Sequence, residues 1–359
     1  MSTEVSGPRP AGSGPSVAVV VPCHDEATFL PDLLETLLPQ VAAQPGWQAV
    51  LVDDSSSDGT GSLLDRAAEG SAVLRVHHGR YGSPGGARSA AIALACADHR
   101  RRPGWVVTTD VDVVLPPDWV ANWADVLAAV DGDGSVGAVN GEEDQSHLLE
   151  PFPNARRVSA RFGQVVVRSE DLLGPTNLNG VNHAVRLEAY ETAGPYLQPT
   201  APGPDGPVVL AGEDWDLGVR LRLAGYRIAG ADVTVADRGR RLLADLQAYL
   251  GGTAYEGPFR RVEAAADPED LDDDVAEVLL AGAARRALLH FYLKPVLACP
   301  ALLAGEVGLS PSTVAAVRAW MDRWPGPAFV ESRNGFIYGR LVRFADAFTD
   351  TVLDELGLV

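Results

Sequence analysis

Val106-Val107-Thr108-Thr109-Asp110-Val111-Asp112-Val113 is an apolar, β-branched run that passes directly into two aspartates one residue apart. The run reads as a buried strand. Residues i and i+2 of a strand face the same side, so Asp110 and Asp112 are expected to converge at the strand's end. Two neighbouring carboxylates repel each other unless positive charge sits between them. A hard divalent cation with open positions for phosphate oxygens would supply it. A solvated turn would also accommodate the pair, since aspartate favours turns. The pair alone does not decide between them.

The surrounding chain repeats the same punctuation. Val17–Pro22 and Ala49–Val52 are further apolar, β-branched runs, and the second ends in Asp53-Asp54. Between them, Leu33, Leu34, Leu37, Leu38 and Val41 recur at helical spacing over Pro31–Val41. Gly61–Glu69 predicts a second helix, opened by Asp58 and Thr60 as capping residues. Val73–His77 predicts a third strand, Pro84–Ala97 a small-residue helix and Trp105–Thr109 a fourth strand. Strands alternating with helices at this spacing predict right-handed βαβ units and a mostly parallel α/β sheet. In such sheets ligands bind beyond the carboxyl ends of the strands. Pro22–Glu26, Asp53-Asp54 and Asp110–Asp112 all occupy such ends.

Beyond Asp112 the expected elements are a helix over Pro116–Ala129, a strand over Val136–Asn140 and a loop at Glu142–Asp144. An amphipathic helix over Asn154–Arg161, a strand over Gly180–Arg186 and a Pro/Gly-rich loop at Pro195–Pro207, readable as a mobile lid, follow. Gly212-Glu213-Asp214 precedes a helix over Trp215–Ala224, and Tyr226–Val235 reads as a strand. Only helices are expected later, at Arg241–Leu250, Leu271–Leu289, Pro311–Trp320 and Tyr338–Leu356.

The organisation expected is a disordered leader over residues 1–15, a catalytic unit over 16–237 and a helical extension over 238–359. The catalytic unit divides into a nucleotide half (16–115) and an acceptor half (116–237). The extension offers helices for a homodimer.

A formal net charge of −19 argues against nucleic acid as partner and against anionic lipid, but leaves a nucleotide ligand open. Cys23, Cys96 and Cys299 show no metal-type spacing and read as core residues in a reducing compartment. The stretch Ala287–Ala304 holds His290, Lys294, Pro295 and Pro300, which a membrane span tolerates poorly. A cytoplasmic protein without transmembrane segments is the expectation.

Six segments, in order, resemble the motifs of family 2 glycosyltransferases of the GT-A fold. They are Val19–Glu26, Val52–Thr60, Gly85–Ala91, Asp110–Asp112, Gly180–Arg186 and Gly212–Asp214. The resemblance spans roughly Ser16 to Ala236. His24-Asp25 and Ser89 depart from the usual residues, and the QxxRW signature of membrane synthases is missing. That argues for transfer of a single sugar to a small-molecule or carrier-borne acceptor.

The resemblance implies a nucleoside-diphosphate-sugar donor, with UDP favoured and GDP or dTDP open, and Mn²⁺ or Mg²⁺ as cofactor. Donor contacts are expected from Pro22, His24, Glu26, Asp53, Asp54, Gly86, Arg88 and Asp110. Asp112 is the first candidate metal ligand and Asp110 the second. Asp214 is implied to be the general base of an inverting displacement, with Glu213 supporting it. Helix capping is its alternative role. Asn182, His183 and Trp215 are candidate acceptor or sugar contacts, Trp215 as an apolar wall. Asp237 stands where relatives often carry a third metal ligand. The cluster Asp237–Arg241 can bind diphosphate or simply cap the next helix.

Two other readings remain. A sugar-phosphate nucleotidyltransferase normally opens with a Gly-rich basic loop, whereas Pro22–Glu26 has neither glycine nor base. A non-catalytic nucleotide-sugar-binding protein would keep the binding groups without turnover.

Overall fold

The computed structural model describes residues 14–175, 177–197, 200–203, 206–209, 212–255, 262–288 and 291, with isolated positions between 311 and 319. Most of the expected leader, most of the helix expected at 311–320, the helix expected at 338–356 and most of Ala287–Ala304 lie outside these residues.

The sheet starts with β1 (Val17–Cys23), α1 (Leu30–Ala43), β2 (Trp47–Asp54), α2 (Thr60–Glu69) and β3 (Leu74–Gly79). It continues through α3 (Pro84–Cys96), β4 (Trp105–Thr109) and the short β5 (Val113–Val114). α4 (Trp119–Val130), β6 (Val136–Asp144), α5 (Pro153–Leu173), β7 (Asn182–Arg186) and α6 (Leu187–Ala193) follow. The hairpin β8 (Thr200–Gly203) and β9 (Gly206–Val209) precedes α7 (Glu213–Leu223) and β10 (Arg227–Asp237). Three helices, α8 (Arg240–Ala244), α9 (Leu246–Gly251) and α10 (Asp273–Leu288), come last among the described elements.

Eight strands form one sheet in the order β3-β2-β1-β4-β7-β6-β10-β5. β1 lies at its heart, parallel to β2 and β4. The sheet is mixed: β7 runs antiparallel to both β4 and β6, and β5 antiparallel to β10. This is the expected GT-A arrangement, a parallel first half continued by strands of both directions.

Strand alternation divides the core between the two faces. Val17, Val19 and Val21 of β1 pack with Leu30, Leu33 and Leu37 of α1 and Trp119, Trp123 and Leu127 of α4. Ala18 and Val20 face the other way, against Ala87, Ala91 and Ala95 of α3 and Leu217 and Leu221 of α7. The alanine stripe lets α3 lie close to the sheet. Pro84 and the Ser83 side chain, which accepts from Gly86 N–H at 3.0 Å, start that helix sharply.

Several expectations change. The loop expected at Glu142–Asp144 is the end of β6, because β10 pairs with it as far as Asp144. α5 extends well past Arg161 to Leu173, and the Pro/Gly-rich stretch forms a hairpin. The helix expected over Arg241–Leu250 breaks at Asp245, whose side chain caps α9. α10 packs along α5 over a separate core that includes Phe152, Val158, Leu246 and Ala283. Cys23 and Cys96 are free thiols. Among the described residues no helix is long and apolar enough to cross a membrane.

Candidate active site

The loops at the carboxyl ends of β1, β2 and β4 meet on one edge, as the parallel topology requires. Asp25 and Ser55 take left-handed φ values of 54° and 62° there, a conformation aspartate tolerates better than most residues. Cross-loop bonds stabilise it: Ser56 Oγ accepts from Asp25 N–H at 2.9 Å, and Asp25 Oδ1 accepts from Ser57 N–H at 2.6 Å. Asp58 accepts from Ala27 N–H at 2.9 Å and Thr60 N–H at 3.0 Å, tying β1's loop to the start of α2.

Asp54 was expected to contact the nucleotide. Its carboxylate instead accepts from the N–H groups of Tyr81, Gly82 and Ser83 at 2.5–3.1 Å. It shapes the turn into α3, and any effect on a nucleotide passes through that turn. Asp53 is likewise engaged, by Ser56 N–H and the His78 ring. Gly86 serves the start of α3, where a Cβ would stand 2.9 Å from Ser83 Oγ. Pro22 is a strand residue paired with Val52. His24 rests its Nδ1 2.7 Å from Asp54 O and leaves over half its side chain exposed on the ligand edge.

Asp110 and Asp112 lie just past β4, in the turn to β5, and not on the strand itself. Their convergence therefore comes from the turn and two arginines. Arg88 Nη2 donates to Asp110 Oδ1 at 2.6 Å, while Arg240 Nε donates to Asp112 Oδ2 at 2.8 Å. Arg240 also reaches Glu26 Oε1 at 2.7 Å, so one guanidinium joins β1's loop to the Asp pair. Burial pushes the Asp110 carboxyl up to about 6, and the neighbouring Asp112 adds to the rise while Arg88 opposes it.

Among the described residues, Asp110 Oδ2 and Asp112 Oδ1 accept no hydrogen bond. No group of three or more His, Cys, Asp or Glu residues among them is arranged to hold a cation. This donor set fits Mn²⁺ or Mg²⁺ whose remaining positions are filled by substrate phosphate and water, and not a cage made by protein alone. Asp237 does not complete it. Its carboxylate accepts from Gln145 Nε2 at 2.6 Å and Gly239 N–H at 2.8 Å, beside the half-buried Glu143. Burial and the Asp237 charge raise the Glu143 carboxyl well above its usual range.

Arg88 was expected on the nucleotide. It is instead a buried keystone, its side chain 3% exposed, donating to Asp110, to Glu213 Oε1 at 2.6 Å and to the Gly180 carbonyl at 3.2 Å. Burial disfavours its charge, but the two carboxylates outweigh that and keep it protonated. The guanidinium thus bridges the Asp pair and the start of α7.

Gly212, at φ 108°, turns the chain into α7, so Glu213 and Asp214 occupy the helix's first turn and make no side-chain cap. Asp214 is partly accessible yet closely surrounded. Burial and the adjacent Glu213 push its carboxyl up to about 7, against the opposing pull of Arg88. A carboxylate titrating near neutrality can take up a proton at working pH.

Two expected ligand contacts face the protein instead. Asn182 Oδ1 accepts from the indoles of Trp119 and Trp123, each at 3.1 Å, and its Nδ2 donates to Glu142 O and Val233 O. His183 is fully buried, and burial drives it down to about 3, so it is neutral. Trp215 meets Phe291 edge-on at 5.9 Å, and Phe291 meets Phe162 at 5.8 Å. An aromatic surface therefore follows Asp214 directly. The bridging role of Arg240 was masked in the sequence by its place among three arginines.

The sheet thus carries an Asp pair past β4's end, linked by a buried arginine to an acidic helix start. The chain matches Glycosyl transferase family 2 over residues 18–190, just under half of its length. It is 34% identical over 134 residues to undecaprenyl-phosphate 4-deoxy-4-formamido-L-arabinose transferase of Pseudomonas aeruginosa, covering 36% of this chain and 37% of that protein. Over 223 residues it is 26% identical to the succinoglycan biosynthesis protein ExoA of Rhizobium meliloti, covering 61% and 62%. The match thus spans little more than a third of the first relative's length. A mannosyltransferase from Pyrobaculum calidifontis, solved with GDP-Man and Mn²⁺, superposes with a TM-score of 0.47 at 19% identity, covering 94% of this chain and 87% of that one.

Proposed function

We propose that the protein is an inverting, metal-dependent glycosyltransferase that moves a sugar from a nucleoside-diphosphate sugar to a hydroxyl of a carrier-borne or small-molecule acceptor. The observation that carries this reading is the Arg88 bridge, 2.6 Å to Asp110 and 2.6 Å to Glu213. One rigid group sets the distance between the diphosphate end and the base end of the site. A relative named for transfer to undecaprenyl phosphate supports a carrier-borne acceptor.

Asp112 and Asp110 would hold the cation, which when bound offsets charge on the departing diphosphate. Arg240 would meet phosphate oxygens once it leaves its carboxylates. The acceptor oxygen bonds to the anomeric carbon as the bond from that carbon to the phosphate oxygen breaks. Its proton passes to the Asp214 carboxylate, and the nucleoside diphosphate departs with the electron pair. Trp215 and its aromatic neighbours give the acceptor an apolar wall.

UDP is the first nucleotide to test, then GDP and dTDP. The test is a thermal-shift panel of UDP-glucose, GDP-mannose and dTDP-glucose, each with Mn²⁺, followed by measurement of nucleoside-diphosphate release. Stabilisation by at least one donor with Mn²⁺, and its turnover, is expected. No stabilisation and no release with any of them would defeat the reading.

A further inference from the structure

The mechanism leaves His183 and Gly180 without a task, yet both belong to one tightly held turn. His183 Nδ1 lies 2.6 Å from Asn179 O and Nε2 lies 2.7 Å from the Tyr196 hydroxyl. A carbonyl only accepts, so Nδ1 carries the hydrogen and Nε2 accepts from Tyr196. Asn179 is clamped on its other sides too. Its N–H donates to Asn140 Oδ1 at 2.6 Å, and its Oδ1 accepts from Val181 N–H at 3.1 Å.

Gly180 sits in this strap and lies directly against the base. A Cβ built on it would stand 2.8 Å from Asp214 Oδ2, a distance real Cβ atoms essentially never show. Its carbonyl accepts from Arg88, so the strap touches both the keystone and Asp214. Gly180 is absent from the left-handed glycines. Its backbone suits alanine, and only the missing methyl matters at this position.

We propose that the strap Asn179–Gly180–Val181, locked from beneath by His183, positions the Asp214 carboxylate, with Gly180 leaving the space that carboxylate occupies. This rests on Asp214 being the general base. Gly180 and His183 are positioning residues and touch no substrate. The groups facing Asp214 are Glu213 on its own helix, Arg88 from α3 and Tyr196 from the segment after α6. A shifted carboxylate changes its distance from all three as well as from the acceptor.

The test compares Gly180→Ala, His183→Phe, Asp214→Asn and the double variant Gly180→Ala/Asp214→Asn in the full chain. The readouts are binding of UDP with Mn²⁺ by calorimetry, and nucleoside-diphosphate release from UDP-glucose, GDP-mannose and dTDP-glucose across pH. Gly180→Ala is expected to keep its urea midpoint and nucleotide affinity, lose about 10- to 100-fold in kcat and shift the acidic limb of its pH profile. The double variant should be no slower than Asp214→Asn alone, and His183→Phe should lose kcat in the same way. If His183→Phe does not fold, Gly180→Ala carries the test by itself. Unchanged kcat and pH profile in Gly180→Ala, with Asp214→Asn inactive, would overturn the positioning proposal alone. Substantial turnover by Asp214→Asn would overturn the assignment of the base, and the proposal with it.

Discussion

Replacing Arg88 with methionine removes the charge that two carboxylates share while keeping much of the side-chain volume. Each N···O contact is 2.6 Å, and the guanidinium is almost fully buried. At an effective dielectric of about 20, a pair with charge centres near 4 Å is worth about 4 kcal/mol before desolvation is counted. Removing one member of a buried ion pair leaves its partner uncompensated, at a cost of about 3–5 kcal/mol. In a chain of this size that lowers Tm by roughly 4–7 °C. The pH dependence carries a sign. Burial already raises Asp110 to about 6 and Asp214 to about 7, and Arg88 holds both down. Without Arg88 both folded values rise further, so the native state binds protons that the unfolded state releases. Stability then falls as pH rises through that window, making the deficit larger at pH 8 than at pH 5. Urea unfolding of both proteins at the two pH values measures it. A loss below about 1 kcal/mol at pH 8, or an equal loss at both, would refute the keystone role.

Further predictions address separate parts of the site. Asp112→Ala should abolish the Mn²⁺-dependent part of UDP binding in calorimetry, and undiminished binding would remove Asp112 as ligand. Asp214→Asn should lower kcat by roughly 10²- to 10⁴-fold with nucleotide affinity kept. In the wild type, kcat/KM should rise through about pH 7 as that carboxyl loses its proton; a profile flat from pH 5 to 9 would speak against it. Asn182→Ala strands two buried indole N–H groups and should cost about 2–4 kcal/mol in urea unfolding, with kcat barely changed once folded. A large kcat loss at unchanged stability would place Asn182 among the substrate contacts after all.

The central strands were legible because burial on both faces leaves a continuous β-branched run, as in Val17–Val21 and Trp105–Thr109. The Asp pair and the acidic start of α7 were legible because strand ends and helix starts carry local signatures. Partnerships were not. Arg88 and Glu213 are 125 residues apart, and Arg240 and Glu26 are 214 apart, so no local spacing records their contacts. For the same reason Asp54 read as a ligand group: nothing nearby says that its carboxylate is committed to three N–H groups beyond β3. Asn182 and His183 fell in a motif read as facing the acceptor. Strand alternation instead sends Asn182 beneath α4 and His183 towards Tyr196. The break at Asp245 was written locally, as a capping side chain within an otherwise helical pattern.

The most direct measurement is a crystal structure of the wild-type protein with Mn²⁺ and the nucleotide sugar that stabilises it best. The account predicts the cation on Asp112, Arg240 moved from that carboxylate to a phosphate oxygen, and the anomeric carbon facing Asp214 across the Arg88 bridge. A cation bound away from Asp110 and Asp112, or an anomeric carbon turned from Asp214, would contradict it.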